Sequence, residues 1–242
     1  MTLLAVERIK LFSTRSPWWC AFAALALSTG FTALAAMSTE DGDGGLSLPS
    51  ATTGLQFALV VVLALAALAI TTEYRFGTIR STFQAVPNRA AVLVAKAVVV
   101  GLVALLLGEL AAFGSWGVAR VLAPGPGLEL ADAEAWRQLL GAGPFFAFAA
   151  VLAVGVGALL RHTAGAVTLL MLWALMAENL VGVIPNIGPD VREWLPFTAG
   201  GRVLDPASPG APLGPWGSLA YFAAVAVLVL AAAAVVVRRR DA

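Results

Sequence analysis

Long apolar runs, broken by short polar, Gly-rich or Pro-rich stretches, recur along the 242 residues. A hydrocarbon core about 30 Å thick needs about 20 apolar residues of helix. Trp18–Met37, Thr53–Thr72, Ala90–Leu122, Gly141–Leu160, Thr163–Val183 and Trp216–Val237 meet that length, so the pattern predicts six spans. The third is long enough to tilt or to project beyond the bilayer. Between the fourth and fifth, Arg161-His162 is nearly the whole connector, which predicts a tight helical hairpin. Ahead of the first span, Met1–Ser16 mixes Leu3, Leu4, Val6, Ile9, Leu11 and Phe12 with Glu7, Arg8, Lys10 and Arg15. That mixture predicts an interfacial helix with its cations toward anionic lipid. Ser16-Pro17 reads as an N-cap followed by a first-turn proline. Trp18 and Trp19 stand where an aromatic belt belongs.

The polar island Glu73–Arg89 interrupts this pattern between spans two and three. Phe76, Ile79, Phe83 and Val86 recur at three- and four-residue steps, predicting one apolar stripe on a short helix. Arg75, Arg80 and Gln84 fall off the stripe, and Gly77 and Pro87 bound it as breakers. Such a helix either lies on lipid or seats its stripe in a groove of a partner protein. Four stripe residues make a weak lipid anchor, which favours the partner, with Phe83 as the central contact and Arg80 at the groove's rim.

Cations decide the orientation. With both termini cytoplasmic, the inside collects Arg8, Lys10, Arg15, Arg75, Arg80, Arg89, Lys96, Arg161, Arg238, Arg239 and Arg240. The outside keeps Arg120, Arg137, Arg192 and Arg202, the asymmetry of the positive-inside rule. Lys96, in the first turns of the third span, is expected to snorkel inward. Composition agrees: 60% hydrophobic and 12% charged, with a mean hydropathy of +0.89. Globular chains carry about 25% charged residues. A net charge of +1 gives no basic field for nucleic acid. Cys20, the single cysteine, excludes an internal disulfide and a thiolate metal cluster. The apolar run of Trp18–Met37 exceeds the core of a secretory signal, so Ala33-Leu34-Ala35 is not expected to be a cleavage site.

Glu73, Gly77 and Thr78, spaced Glu-x-x-x-Gly-Thr, and Pro87 and Arg89, spaced Pro-x-Arg, resemble the loop between the second and third spans of type-2 ATP-binding-cassette permeases. The resemblance implies that this loop forms a cytoplasmic coupling helix seated in a separate ATPase subunit, using Glu73, Arg75, Phe76, Gly77, Thr78, Ile79, Arg80, Phe83, Val86, Pro87 and Arg89. It further implies a single transmembrane domain over 1–242, a homodimer or a pair with a sister permease, and export by alternating access across the cell membrane. No G-x-x-x-x-G-K-[ST] occurs, so no P-loop is present. ATP and magnesium would therefore belong to the partner, with no cofactor bound by this chain. Apolar walls with few charges suit an amphipathic, lipid-like, peptide or drug-like cargo.

Outside the membrane the expectation is a Gly- and acid-rich loop at Ser38–Thr52, a second loop at Ala123–Leu140, and a third at Pro185–Pro215. The third holds Trp194, Leu195, Phe197, Val203 and Leu204 and should fold back on the membrane. This resembles the family's short extracellular helices between spans five and six. G-x-x-x-G occurs only at Gly210–Gly214, in this loop, so a glycophorin-type packing motif is absent from the spans.

Catalytic chemistry finds little support. His162 is the single histidine, and no nucleophile, base and acid can be assembled around it. Glu109 in the third span and Glu178 in the fifth are the intramembrane carboxylates. A buried charge costs at least about 2.5–3.5 kcal/mol on insertion scales, so both face protein or water. They either line a substrate route or fix helix packing through hydrogen bonds. Glu178, with Asn179 beside it near the outer end of its span, is the better gate position. A second function class makes Glu109 and Glu178 the proton-coupling sites of an autonomous secondary transporter, although no span shows a Gly/Pro-broken pair of half-helices.

Overall fold

The computed structural model describes residues 2–39, 45–86, 88–205 and 211–239. Pro87, Gly210, Arg240 and the acidic middle of the Ser38–Thr52 loop lie outside the described residues.

The protein is all-α, with six helices among the described residues long and apolar enough to cross a membrane. Helix α1 (Leu3–Phe12) leads into the first span, α2 (Ser16–Met37). Pro17 lies in the first turn of α2, with Arg15 rather than Ser16 at the N-cap. A short α3 (Leu48–Thr52) precedes α4 (Leu55–Arg75), and together they make the second span. Connector helix α5 (Thr78–Ala85) leads to α6 (Arg89–Leu122), the third span. At about 1.5 Å per residue α6 is about 51 Å long, well beyond the hydrocarbon thickness. Asn88 starts it by accepting a hydrogen bond from the Ala91 amide at 3.2 Å.

The expected loop at Ala123–Leu140 is partly helical. Helix α7 (Ala133–Leu140) is capped by Asp132, which accepts from the Ala135 amide at 2.7 Å, and it runs through Gly141 into α8 (Ala142–Leu160), the fourth span. Eight residues of mixed Ala, Trp, Leu and charge form an amphipathic helix here because a cap starts it and α8 continues it. Arg161, at φ 53°, ends α8, and the His162 ring accepts from the Gly165 amide to start α9 (Thr163–Leu172). The hairpin is as tight as its two-residue connector requires. A π-turn, Trp173–Ala177, then interrupts the fifth span before α10 (Glu178–Gly182). This break contains neither Gly nor Pro, so composition did not announce it; Trp173 packs edge-on against Phe197 at 5.6 Å. Helices α11 (Gly188–Glu193) and α12 (Pro196–Gly201) precede the sixth span, α13 (Pro215–Arg239), and α12 packs against α13.

Helix α8 is the centre of the bundle, packed against α6, α13, α4 and α9. Phe146, Ala149, Ala150, Leu152, Ala153 and Val154 along it are fully buried. In contrast, α2 and α10 turn Trp18, Trp19, Phe22, Leu34 and Leu180 outward, as lipid-facing helices do. Close approach of α6 and α8 depends on small residues. A Cβ built on Gly108 would stand 2.7 Å from the Ala142 carbonyl oxygen and 2.9 Å from the Phe146 ring. Backbone cannot yield as a side chain can, so Gly108→Ala is expected to cost about 1–3 kcal/mol. Thermal unfolding in detergent, with Gly117→Ala as control because a Cβ there meets open space, checks this.

Candidate functional site

The Glu73–Arg89 connector lies at the end of the bundle that also carries α1. Helix α4 stops at Arg75, and Gly77 takes the left-handed conformation at φ 71°, which glycine adopts without a Cβ penalty. Only Ile79 and Phe83 of the anticipated stripe lie within α5. Phe76 is the residue that caps α4, and Val86 is extended beyond the end of α5.

Two of the four stripe residues, Ile79 and Phe83, also face the other way from the expectation. Ile79 is 3% exposed and belongs to the protein's own core, and Phe83 packs against that core with the Arg89 guanidinium 5.3 Å from its ring centroid. The reason is burial close at hand: the ends of α4 and α6 offer apolar surface without the cost of an encounter. What the connector presents outward is Arg75, Phe76, Gly77, Thr78, Arg80, Ser81 and Gln84. Phe76 is 71% exposed, with Arg75 5.5 Å over its ring.

Glu73 likewise turns inward, into an ionic cluster that sequence reasoning missed. Lys96 Nζ donates to Glu7 Oε2 at 2.5 Å and to Glu73 Oε1 at 2.7 Å. Lys10 Nζ donates to Glu7 Oε1 at 3.1 Å, Glu73 Oε1 at 3.4 Å and Thr82 Oγ1 at 3.0 Å. Two carboxylates and two ammoniums close a neutral set joining α1, α4, α5 and α6. Lys96 therefore does not snorkel to the surface; its side chain is 5% exposed and charge-paired within the protein. Lys10 is directed to these carboxylates rather than to lipid. A usable signal was present in the sequence: a lysine inside an apolar run requires a carboxylate, and Glu73 and Glu7 stand on the adjoining segments.

Away from this cluster, Glu109 and Glu178 turn out to do related work. Glu109 Oε1 accepts from the Gly143 amide at 3.2 Å, in the first turn of α8. A Cβ on Gly143 would run into the Glu109 carboxylate. Glu109 Oε2 is buried without a partner among the described residues. Glu178 is 4% exposed and accepts from the Phe197 amide at 2.9 Å, the Thr198 amide at 2.6 Å and the Thr198 hydroxyl at 2.8 Å. Those amides belong to the first turn of α12, whose own N-cap residue, Leu195, has no acceptor side chain. Each carboxylate thus caps the start of a helix from a different element.

The far end of α12 is held as well. Arg137, from α7, donates to the carbonyls of Arg202 at 3.3 Å, Val203 at 2.8 Å and Asp205 at 3.0 Å. Asn179 accepts from Arg192 at 2.9 Å and donates to the Leu175 carbonyl, tying α10 to α11. Glu178, Arg192, Gln56 and Thr198 line a cavity of about 360 Å³ beside these contacts. The structure brings Glu178 and Asn179 together at this end, and leaves Glu109 apart on α6. A scan against protein-family models finds no match for this chain, and a search of curated proteins finds no relative.

Proposed function

We propose that this multi-pass membrane protein is the permease subunit of an ATP-driven exporter of the type-2 ATP-binding-cassette kind, set in the cell membrane with both termini cytoplasmic. Its engine is a separate ATPase subunit carrying ATP and magnesium, and a second copy or a sister permease completes the transport path. One observation carries this reading. The α4–α6 connector has an outward face of Phe76, Arg75 and Arg80, while its inward face is fastened to the spans by Ile79, Phe83 and the Lys10–Thr82 contact. A push on such a connector reaches α1, α4 and α6 together through the ionic cluster, which suits alternating access. The helix is thus a rigid pad whose partner would have an apolar pocket with acidic groups at its rim.

The test shifts from Phe83 to Phe76. Phe76→Ala removes the exposed aromatic, so a loss of about 2 kcal/mol of association is expected, with folding unchanged. Arg80→Ala is expected to slow docking and weaken its salt dependence. The tagged chain would be purified in mild detergent from its own membranes and the co-purifying ATPase identified. Undiminished recovery of the ATPase by a Phe76→Ala/Arg80→Ala chain of parent stability would remove the basis of this assignment.

The proton-coupled carrier draws on the buried, unpartnered Oε2 of Glu109. Both oxygens of Glu178 are engaged, so that mechanism would rest on Glu109 alone. Proton-driven uptake by the purified chain in vesicles, abolished by Glu109→Gln, would favour it over the ATP-driven reading.

A further inference from the structure

The cavity of about 360 Å³ beside Glu178 lies between the start of α4, the first turns of α8, the π-turn and α10–α12. Small-molecule sites occupy about 300–1,000 Å³, so this one has room for a compact solute. Leu59, Phe145, Phe146 and Phe197 give it an apolar wall of buried side chains. Its charged members are Glu178, Arg192 and Asp205.

Glu178 has little to spare, because both of its oxygens already accept hydrogen bonds from α12. Arg192 and Asp205 differ from it: both are exposed, and no ion pair joins them to each other. Of the five N–H groups of an arginine, the Arg192 guanidinium gives one to Asn179, and the rest meet no acceptor among the described residues. The Asp205 carboxylate accepts no hydrogen bond among the described residues. Burial pushes this carboxyl above its ordinary range, and the Arg137 charge offsets that only in part. Arg137 itself spends its N–H groups on three backbone carbonyls and faces Glu134. Gln56 adds an exposed amide that can both donate and accept. One cavity thus offers a cation and an anion, each open and not spent on the other, beside an apolar wall. A simple cation or anion would answer only one of the two charges. A phospholipid head would answer both but has no apolar group to set against the wall. We infer that this cavity binds a small zwitterion of the amino-acid or dipeptide class, its carboxylate on Arg192, its ammonium on Asp205 and an apolar side chain toward Phe145 and Phe146. The inference does not rest on an ATPase partner, and binding to the isolated chain tests it apart from the coupling reading.

The probe is leucyl-leucine, titrated into the detergent-purified chain and read by calorimetry. N-acetyl-leucyl-leucine lacks the ammonium, and leucyl-leucinamide lacks the carboxylate. Glycerophosphoethanolamine keeps both charges without an apolar side chain. Leucyl-leucine is expected to bind saturably, and each of the other three roughly tenfold or more weakly. Asp205→Asn is expected to lower leucyl-leucine affinity by roughly tenfold and to leave that of the acetylated peptide unchanged, since only an ammonium meets that carboxylate. Arg192→Gln should act in the same way on leucyl-leucine and spare the amide. Arg192 also holds Asn179, whereas the Asp205 carboxylate holds no other group, so Asp205→Asn is the variant that decides, at an unfolding midpoint equal to the parent's. No binding of leucyl-leucine, equal binding of all four probes, or an acetylation penalty that persists in Asp205→Asn would overturn the site. Tighter binding of glycerophosphoethanolamine than of leucyl-leucine would overturn it too, in favour of a lipid head.

Discussion

Lys96→Met is expected to destabilise the protein by about 3–5 kcal/mol, more than any other single charge removal at that end of the bundle. The side chains of Lys96 and Glu7 are 5% and 3% exposed, so the substitution leaves Glu7 and Glu73 with Lys10 as their remaining ammonium in a largely dry setting. Desolvation of the surviving carboxylates is not recovered by the methionine's packing. Lys10, in contrast, is 33% exposed, and solvent screens its pairs. Lys10→Met should cost no more than about 1 kcal/mol. The ordering Lys96 far above Lys10 is the test, measured as unfolding midpoints in detergent. Hydrogen exchange should show α1 loosened in Lys96→Met, since Glu7 is its charged link to α6. If the two variants unfold alike, the cluster is a set of screened surface pairs.

The same cluster marks how far the sequence could be read. Six spans and the Arg161-His162 hairpin followed from run lengths and breakers, because one long apolar run can satisfy its backbone in lipid by itself only as a helix; the short helices after span five were implied by the family resemblance. Periodicity also found a helix near α5, but period alone cannot say whether a stripe meets a partner or the chain's own core. Ile79 and Phe83 went inward because the neighbouring span ends supplied apolar surface. Glu7, Lys10, Glu73 and Lys96 escaped notice as a group because their pairing links residues as many as 89 positions apart. The π-turn at Trp173–Ala177 was illegible for another reason: nothing in Trp-Ala-Leu-Met-Ala departs from ordinary helix composition.

Glu109 and Glu178 show the same limit at the level of chemistry. The cost of a charge in lipid correctly marked both as facing protein. Which polar groups they meet depends on where another helix begins. The first amides of α8 and α12 lack partners within their own helices, and in an apolar setting water is not there to supply them. A carboxyl oxygen brought in from a packed neighbour fills that gap.

Glu178→Ala is therefore expected to loosen the segment built on α12. The substitution deletes the acceptor of three hydrogen bonds, leaving the buried Phe197 amide and the partly buried Thr198 amide without that partner. Hydrogen bonds to charged groups contribute about 1.5–3 kcal/mol each, and they are not additive at one carboxylate, so a total loss of about 3 kcal/mol is expected. Glu178→Gln keeps the shape and one acceptor oxygen but turns an NH₂ toward donors, so about half of that loss should remain. Arg137→Ala frees the other end of α12 by removing donors to the carbonyls of Arg202, Val203 and Asp205. Once one end of a six-residue helix is released, the other anchor holds little, so the double variant should cost less than the two single losses added together. Amide exchange across Phe197–Gly201 is the direct readout, with the unfolding midpoint beside it. Protection at those amides unchanged in Glu178→Ala would mean that α12 is held by the packing of Phe197 against Trp173 and Phe222, and that the carboxylate is free for another role.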